Sequence, residues 1–325
     1  MFTPFGWNRE AAKQNLGYDY PSAHPDPSIV ARVNSREFGL RLEEELFPKQ
    51  MLESGEKTFC RHFDDFEKWL AQASIGQAEK TVRWVAKGNH GHAGIGQLRF
   101  SLADVGEDLH QLKRILETQG GLLLEPEQDI QVEFGCLIYL GRDGSQSELR
   151  CHRLLSYSGG GFAGALYQPE DAEFLKWKPD IQNSLTRISE RLHQEGYFGP
   201  VSVDAYAWRK KDPKDAGENL YFRPLVDLNA RCSMAYPVHG LSRRFPDRTV
   251  LMTQIPSTIA LPKNSRALRE RLDALGNLNF DPKTRRGVFL VTPLMPGPRR
   301  HAWACIGLDE ADVRSMREKV FQGVA

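Results

Sequence analysis

The side chains best suited to chemistry lie between Pro200 and Met234, in the stretch PVSVDAYAWRKKDPKDAGENLYFRPLVDLNARCSM. Two alternating runs, Val201–Trp208 and Leu220–Arg231, flank a polar loop rich in Lys, Asp, Pro and Gly, which predicts two paired antiparallel strands. Alternate residues of a strand share a face. Ser202, Asp204 and Tyr206 therefore point one way on the first, and Asp227, Asn229 and Arg231 one way on the second. Pairing then brings Asp204 near Asp227 and Asn229. Two carboxylates and an amide oxygen are hard ligands suited to Mg2+ that also holds phosphates. Arg231 suits a phosphate or carboxylate gripped through two parallel hydrogen bonds. The same spacing also describes a hairpin with a solvated polar face.

A second pointed segment is Thr81–Phe100, TVRWVAKGNHGHAGIGQLRF. A strand (Val82–Ala86) runs into Lys87, then a turn with Gly88, Gly91, Gly94 and Gly96, then a strand (Gln97–Phe100). Glycines let backbone N–H groups approach anionic oxygens, and the lysine adds a point charge. The GK[ST] ending of a P-loop is absent and no helix follows, so the loop reads as a hairpin lid or a plain turn. Farther on, a buried strand (Gly120–Leu124) ends in Glu125-Pro126, where the chain turns and its backbone groups can pair with the edge of an adenine.

The elements that must position these residues follow from periodicity and breakers. Residues 1–30 are rich in Pro, Gly, Asn and aromatics and read as an extended arm. Helices are predicted over Arg36–Phe47, capped by Asn34 or Ser35, then over Phe63–Ala73 and Ser101–Thr118. Gln131–Leu140 and Glu148–Ser158 form a hairpin that enters a Gly-rich loop, SGGGFAGALY. Two helices, Asp171–Lys178 and Ser184–Glu195, are interrupted at Pro179. Met234–Arg244 carries a turn at Tyr236-Pro237 and a basic pair, Arg243 and Arg244. Strands over Thr249–Ile255, Gly287–Thr292 and Trp303–Ile306, with helices over Ser265–Leu275 and Asp309–Val320, complete the chain.

A chain of 325 residues holds a sizeable core divided into subdomains. A net charge of +1 provides no global field toward nucleic acid or an anionic membrane. No apolar run approaches a membrane span and the first residues lack a signal-peptide pattern, so the expected location is cytoplasmic. Five scattered cysteines, with no CxxC pair, argue against a disulfide framework and a zinc site.

Strand–Lys–glycine loop–strand, a strand ending in Glu-Pro, a Gly-rich loop, and a hairpin bearing Asp then Asp-x-Asn occur here in that order. Over about residues 34–235 this resembles the ATP-grasp superfamily, especially its carboxylate–amine ligases. The resemblance implies an α+β fold in which a small α+β lid subdomain packs over a larger antiparallel-sheet C-terminal subdomain. It divides the chain into a reduced N-terminal region (1–78), a lid with the glycine loop (79–140) and a C-terminal subdomain carrying the metal site (141–325). Lys87 then corresponds to the lysine on the nucleotide, and Gly88, Gly91, Gly94 and Gly96 to the loop over the phosphates. Glu125 falls against the adenine and Asp129 near the ribose. Asp204, Asp227 and Asn229 take Mg2+, and Arg231 follows them. Asp227 stands where the family usually has Glu, and Arg36 stands where a lysine near the start of the fold is usual.

The implied cofactors are ATP and Mg2+, and the implied partners are a small-molecule carboxylate and an amine, joined through an acyl phosphate. Tyr236, His239, Arg243 and Arg244 are candidates to line an acceptor pocket. Only about 80 residues precede the glycine loop, so the family's usual first subdomain is either reduced or replaced by a partner or a second subunit. A nucleotide-binding or scaffold module that has lost ligation, and a small-molecule kinase of the same fold, are the competing functions.

Overall fold

The computed structural model describes residues 24–53, 56–76, 83–91, 96–157, 160–210, 220–255, 264–292 and 301–324. In chain order its elements begin with α1 (Pro27–Val33), α2 (Arg36–Leu46), α3 (Pro48–Glu53), β1 (Thr58–Cys60) and α4 (Phe63–Gly76). There follow β2 (Arg83–Gly88), β3 (Gln97–Ser101), α5 (Val105–Gln119), β4 (Leu122–Pro126) and β5 (Asp129–Leu140). Next come β6 (Arg150–Ser156), β7 (Phe162–Tyr167), α6 (Ala172–Gln194), β8 (Gly199–Arg209) and β9 (Leu220–Asn229). The last are α7 (Tyr236–Arg244), β10 (Thr249–Ile255), α8 (Ser265–Ala274), β11 (Gly287–Leu290), β12 (His301–Gly307) and α9 (Glu310–Val324).

The chain forms two compact units. The first comprises Met1–Leu149, Tyr157–Phe162 and Trp177–Ser233, and the second Arg150–Ser156, Ala163–Lys176 and Met234–Ala325. The first unit holds a four-stranded sheet in the order β1-β4-β2-β3, antiparallel throughout, and a second set of strands in the order β5-β8-β9. α4 and α5 cover the small sheet with Phe66, Trp69, Leu112 and Leu116, which meet Trp84, Phe100, Leu122 and Leu124 from the strands. The indole of Trp69 stands edge-on to Trp84, ring centroids 4.8 Å apart. α2 packs against β9, turning Phe38, Leu40 and Leu42 inward.

The second unit is built on strands in the order β11-β12-β10-β7-β6. Leu268 and Leu272 of α8 and Val313, Met316 and Val320 of α9 pack with Leu166, Leu251, Val288 and Trp303 of these strands. Burying each such side chain contributes about 1.5–3 kcal/mol.

α3 and β1 form where the sequence reading placed no element, and four stated expectations differ from the structure. Residues 27–33 form a helix where an extended arm was expected. Asp26 accepts the N–H of Ser28 at 2.7 Å, and Pro27 occupies the first turn, where its missing donor costs nothing. FAGALY is strand β7 and not loop, because its alternating small residues fit beside β10. Helix α6 runs through Pro179 without a break, since the proline lies on the exposed side and the carbonyl it frees can face water. Tyr236-Pro237 opens helix α7 in place of a simple turn, again with proline in the first turn.

β7 and β10 approach closely at Gly164, where a Cβ would lie 2.3 Å from the Met252 backbone oxygen. Gly164→Ala therefore has to push two paired strands apart. We expect a loss of about 1–3 kcal/mol in urea unfolding, and a variant as stable as the parent would show that this approach is not tight.

Candidate functional site

β8 and β9 pair so that Asp204 stands directly opposite Asp227, and Ser202 opposite Asn229. Opposed residues of an antiparallel pair point to the same face, so the two carboxylates and the amide share one surface. The register shifts between Asp204 and Tyr206, because Tyr206 pairs with Arg223 and the extra β9 residues around Pro224 bulge out. Proline, which has no N–H for the ladder, is at home there. On the other side of β8, Glu133 of β5 pairs with Tyr206 and adds a third acidic group.

Asp204 is half-buried and has no hydrogen-bond donor among the described residues. Burial, then the Asp227 and Glu133 carboxylates, push its pKa up to about 8, against the pull of Arg231 and Lys87. This carboxyl is crowded by its own charge type more than Arg231 and Lys87 offset.

The corner between α1 and α2 reaches this surface. Asn34 closes α1 and donates through Nδ2 to the carbonyls of Val30 (2.8 Å) and Ala230 (3.1 Å). Both amide protons being committed, its Oδ1 is fixed toward Arg231, whose Nη1 donates to it at 2.6 Å. Ser35 caps α2 by accepting from the Phe38 N–H at 3.1 Å. Arg36 then donates to Asp227 at 3.0 Å through Nη2 and to the Gly88 carbonyl through Nη1. The first N–H groups of α2 donate to Asn89, that of Arg36 to its carbonyl (3.0 Å) and that of Glu37 to its Oδ1 (3.2 Å). Thus the foot of the glycine loop is tied to the helix that holds Asp227. His90, next along the loop, has its pKa lowered by burial and then by Arg36 and Arg231.

Beneath this surface lies a run of buried charges. Glu125 binds Lys87 through Oε1 at 2.5 Å and Arg223 through Oε2 at 2.8 Å. Arg223 grips Glu43 with two parallel bonds of 2.8 and 2.9 Å and donates to the Tyr206 hydroxyl at 3.1 Å. Glu43 in turn accepts from Lys57 at 2.7 Å. Burial alone would raise the Glu125 pKa, but Arg223 and Lys87 outweigh it and hold the carboxyl well below its usual range.

Sequence reasoning missed Asn34 as a ligand of Arg231, and missed Glu43, Lys57 and Arg223; it took Glu133 for an acid on a solvated strand face. Glu43 carried a signal, since it falls on the inward stripe of α2 with Leu40 and Phe47. The others had none.

No family model matches the chain, and no curated protein does. Solved structures do. N5-carboxyaminoimidazole ribonucleotide synthetase from Thermus thermophilus superposes with TM-score 0.55 at 15% identity, over 97% of this chain and 79% of that one. N5-carboxyaminoimidazole synthase from Aspergillus clavatus, in complex with ADP and 5-aminoimidazole ribonucleotide, gives 0.56 at 10% identity, over 93% and 75%. The biotin carboxylase domain of Hydrogenobacter thermophilus 2-oxoglutarate carboxylase, with MgADP, ADP and bicarbonate, gives 0.53 at 13% identity, over 91% and 67%. The chain carries the ATP-grasp fold.

The described residues offer no prebuilt metal cage, for no three or more His, Cys, Asp or Glu side chains among them converge to hold an ion. The donor set Asp204, Asp227 and Asn229 nevertheless fits Mg2+, which is typically held by one or two carboxylates and completed by phosphate oxygens and water. The crowding that raises Asp204 is what a divalent cation relieves.

Among its described residues, the glycine-rich turn between β2 and β3 is partly committed to its own hairpin. The Gly88 N–H donates to Gly96 and the Gly91 N–H to Gly88, and a Cβ on Gly88 would strike Gln119. Gly96 has φ +76° and turns the chain, while Gly94 lies outside the described residues. Asp129 pairs with Arg209, the last residue of β8, while Asp204 lies at the middle of that strand. Tyr236, His239, Arg243 and Arg244 belong to the second unit, with both arginines exposed. No helix among the described residues is long and apolar enough to cross a membrane.

In that second unit the ring nitrogens His152 Nδ1 and His239 Nε2 lie 2.9 Å apart, both rings buried. Burial, then each residue's charged neighbour (His239 for His152, Arg150 for His239), lowers His152 well below 6.5 and His239 to about 4. Between those values the unfolded chain takes up protons that the folded unit refuses. Stability must therefore fall as pH drops from about 6.5 toward 4. Urea unfolding across that range should show this slope, and His239→Gln should flatten it; an unchanged slope would exclude the pair as its source.

Proposed function

We propose that this ATP-grasp chain is an ATP-dependent carboxylate–amine ligase that works through an acyl phosphate. The observation that carries the reading is Arg36, which joins Asp227 to the Gly88 carbonyl and so brings the acidic surface and the glycine loop to one place. Neighbours of the same fold crystallised with ADP or MgADP support nucleotide use. Mg2+ held by Asp204, Asp227 and Asn229 would neutralise the phosphate oxygens and fix their orientation.

Lys87, with one proton on Glu125, has the other two to donate to the polyphosphate. Arg36 and His90 sit at the foot of the glycine loop, where charge gathers on the transferring phosphoryl group. Phosphoryl transfer depends mainly on positioning and electrostatics, so no protein nucleophile is required. The γ-phosphoryl passes to a substrate carboxylate, giving ADP and an acyl phosphate. An amine then adds to the acyl carbon, phosphate leaves, and the amine's proton passes to solvent. Arg231, oriented by Asn34, binds the carboxylate before transfer and the acyl phosphate after it. Water must be kept from the acyl phosphate until the amine adds.

ADP release should require both a carboxylate and an amine from the pools tested, and Asp227→Asn should abolish it while leaving the circular dichroism spectrum intact. Release that needs only a hydroxyl compound would mark a kinase instead. Lys87→Ala should weaken MgADP about tenfold or more in calorimetry, the loss of a charged hydrogen bond. Asn34→Ala should leave MgADP affinity unchanged but raise KM for the carboxylate; an unaltered KM would detach Arg231 from that substrate.

A further inference from the structure

The buried charges of the first unit alternate in sign along one path: Lys57, Glu43, Arg223, Glu125, Lys87. Exposure of the side chains rises along it, from 0% at Lys57 through 2% at Glu43 and Arg223 to 7% at Glu125 and 11% at Lys87. Three cations against two anions leave one positive charge over, and the end that opens toward solvent is a cation. Both oxygens of Glu125 are engaged within the path, one by Lys87 and one by Arg223. The hold of Glu125 on Lys87 therefore depends on how strongly Arg223 draws the same carboxylate, and that depends on Glu43.

We infer that Glu43 and Arg223 are positioning residues which, through Glu125, set the place and the effective charge that Lys87 presents to a bound polyphosphate. The inference rests on the nucleotide-binding reading above and deepens it. Charges inside a low-dielectric unit act on one another over longer distances than charges in water. Neutralising Glu43 raises the surplus from one positive charge to two while Lys57 stays protonated. Burial and Arg223 already lower the Lys57 pKa to about 8 and Glu43 holds it up, so the affinities are compared at pH 6. Replacing Arg223 with an uncharged residue reduces it to none. Combining the two returns it to one, with each remaining carboxylate or amide still facing a lysine.

The test is the affinity of MgADP and of inorganic tripolyphosphate for the parent and for Glu43→Gln, Arg223→Met and the double variant, measured by calorimetry at fixed ionic strength, with thermal unfolding of each. We expect Glu43→Gln to bind both ligands about three- to tenfold more tightly, Arg223→Met to bind them more weakly by a similar factor, and the double variant to return near the parent. All three would unfold at lower temperature, so a merely structural role predicts weaker binding throughout. Losses of the same sign in both single variants, or a double variant weaker than either, would overturn the inference. If one single variant fails to fold, the sign of the other and the double variant decide. A parent that binds tripolyphosphate but not MgADP would remove the nucleotide reading while the opposite signs still judged the charge path; a parent that binds neither would remove both.

Discussion

Asp204 and Asp227 face each other across neighbouring strands, and their mutual repulsion is the constraint to which the rest of the first unit answers. Glu133 adds to it from the other side. Like charges so placed are destabilising unless cations are brought to them. The fold brings them from three directions. Arg36 comes from the start of α2, Arg231 from just beyond β9, and Lys87 from the end of β2. Each is held by something else: Arg36 by the Gly88 carbonyl, Arg231 by Asn34, Lys87 by Glu125. In the proposed reading a divalent cation with its phosphates would relieve this crowding, and that links the electrostatics to the proposed chemistry.

Burying Arg223 with Glu43 and Glu125 follows a different rule. Taking such ions out of water costs several kcal/mol each, and only near-complete pairing offsets it. Pairing here is close to that limit, with Arg223 committed to two carboxylates and a phenol. An apolar core would serve stability as well or better. What the charges add is direction: Glu43 lies on α2, Arg223 on β9, Glu125 and Lys87 on the small sheet, and their bonds form only when these elements are in one register. The corner formed by Asn34, Ser35 and Arg36 does the same at the surface, one residue each for Arg231, for the helix cap and for Asp227.

Much of this was legible in the chain itself. Strict alternation in Val201–Trp208 and around Asp227 gave the hairpin and the shared face, because a strand's period of two leaves no choice about which side a residue takes. The strand–Lys–glycine–strand order gave the β2–β3 hairpin, and apolar spacing gave α2, α4 and α5 within a few residues. Local signals misled where they were ambiguous. Asp26-Pro27 and Tyr236-Pro237 read as breakers but open helices, since proline punctuates a chain and also suits a first helical turn. FAGALY read as loop because small residues suit both a flexible segment and a crowded strand.

The sequence by itself determined which residues carry charge and side-chain oxygens, and on which face of their own element each lies. Tertiary structure alone decided which of them meet. Glu43, Lys57 and Arg223 are separated by up to 180 residues from their partners, and no periodicity reports a pairing at that distance. Glu125 offered an acid at the edge of a proposed nucleotide pocket, yet packing of β4 against β9 and α2 turned it inward to two cations. A side chain's type is local, but its partner is fixed by the register between elements, and that register comes from packing the whole unit at once.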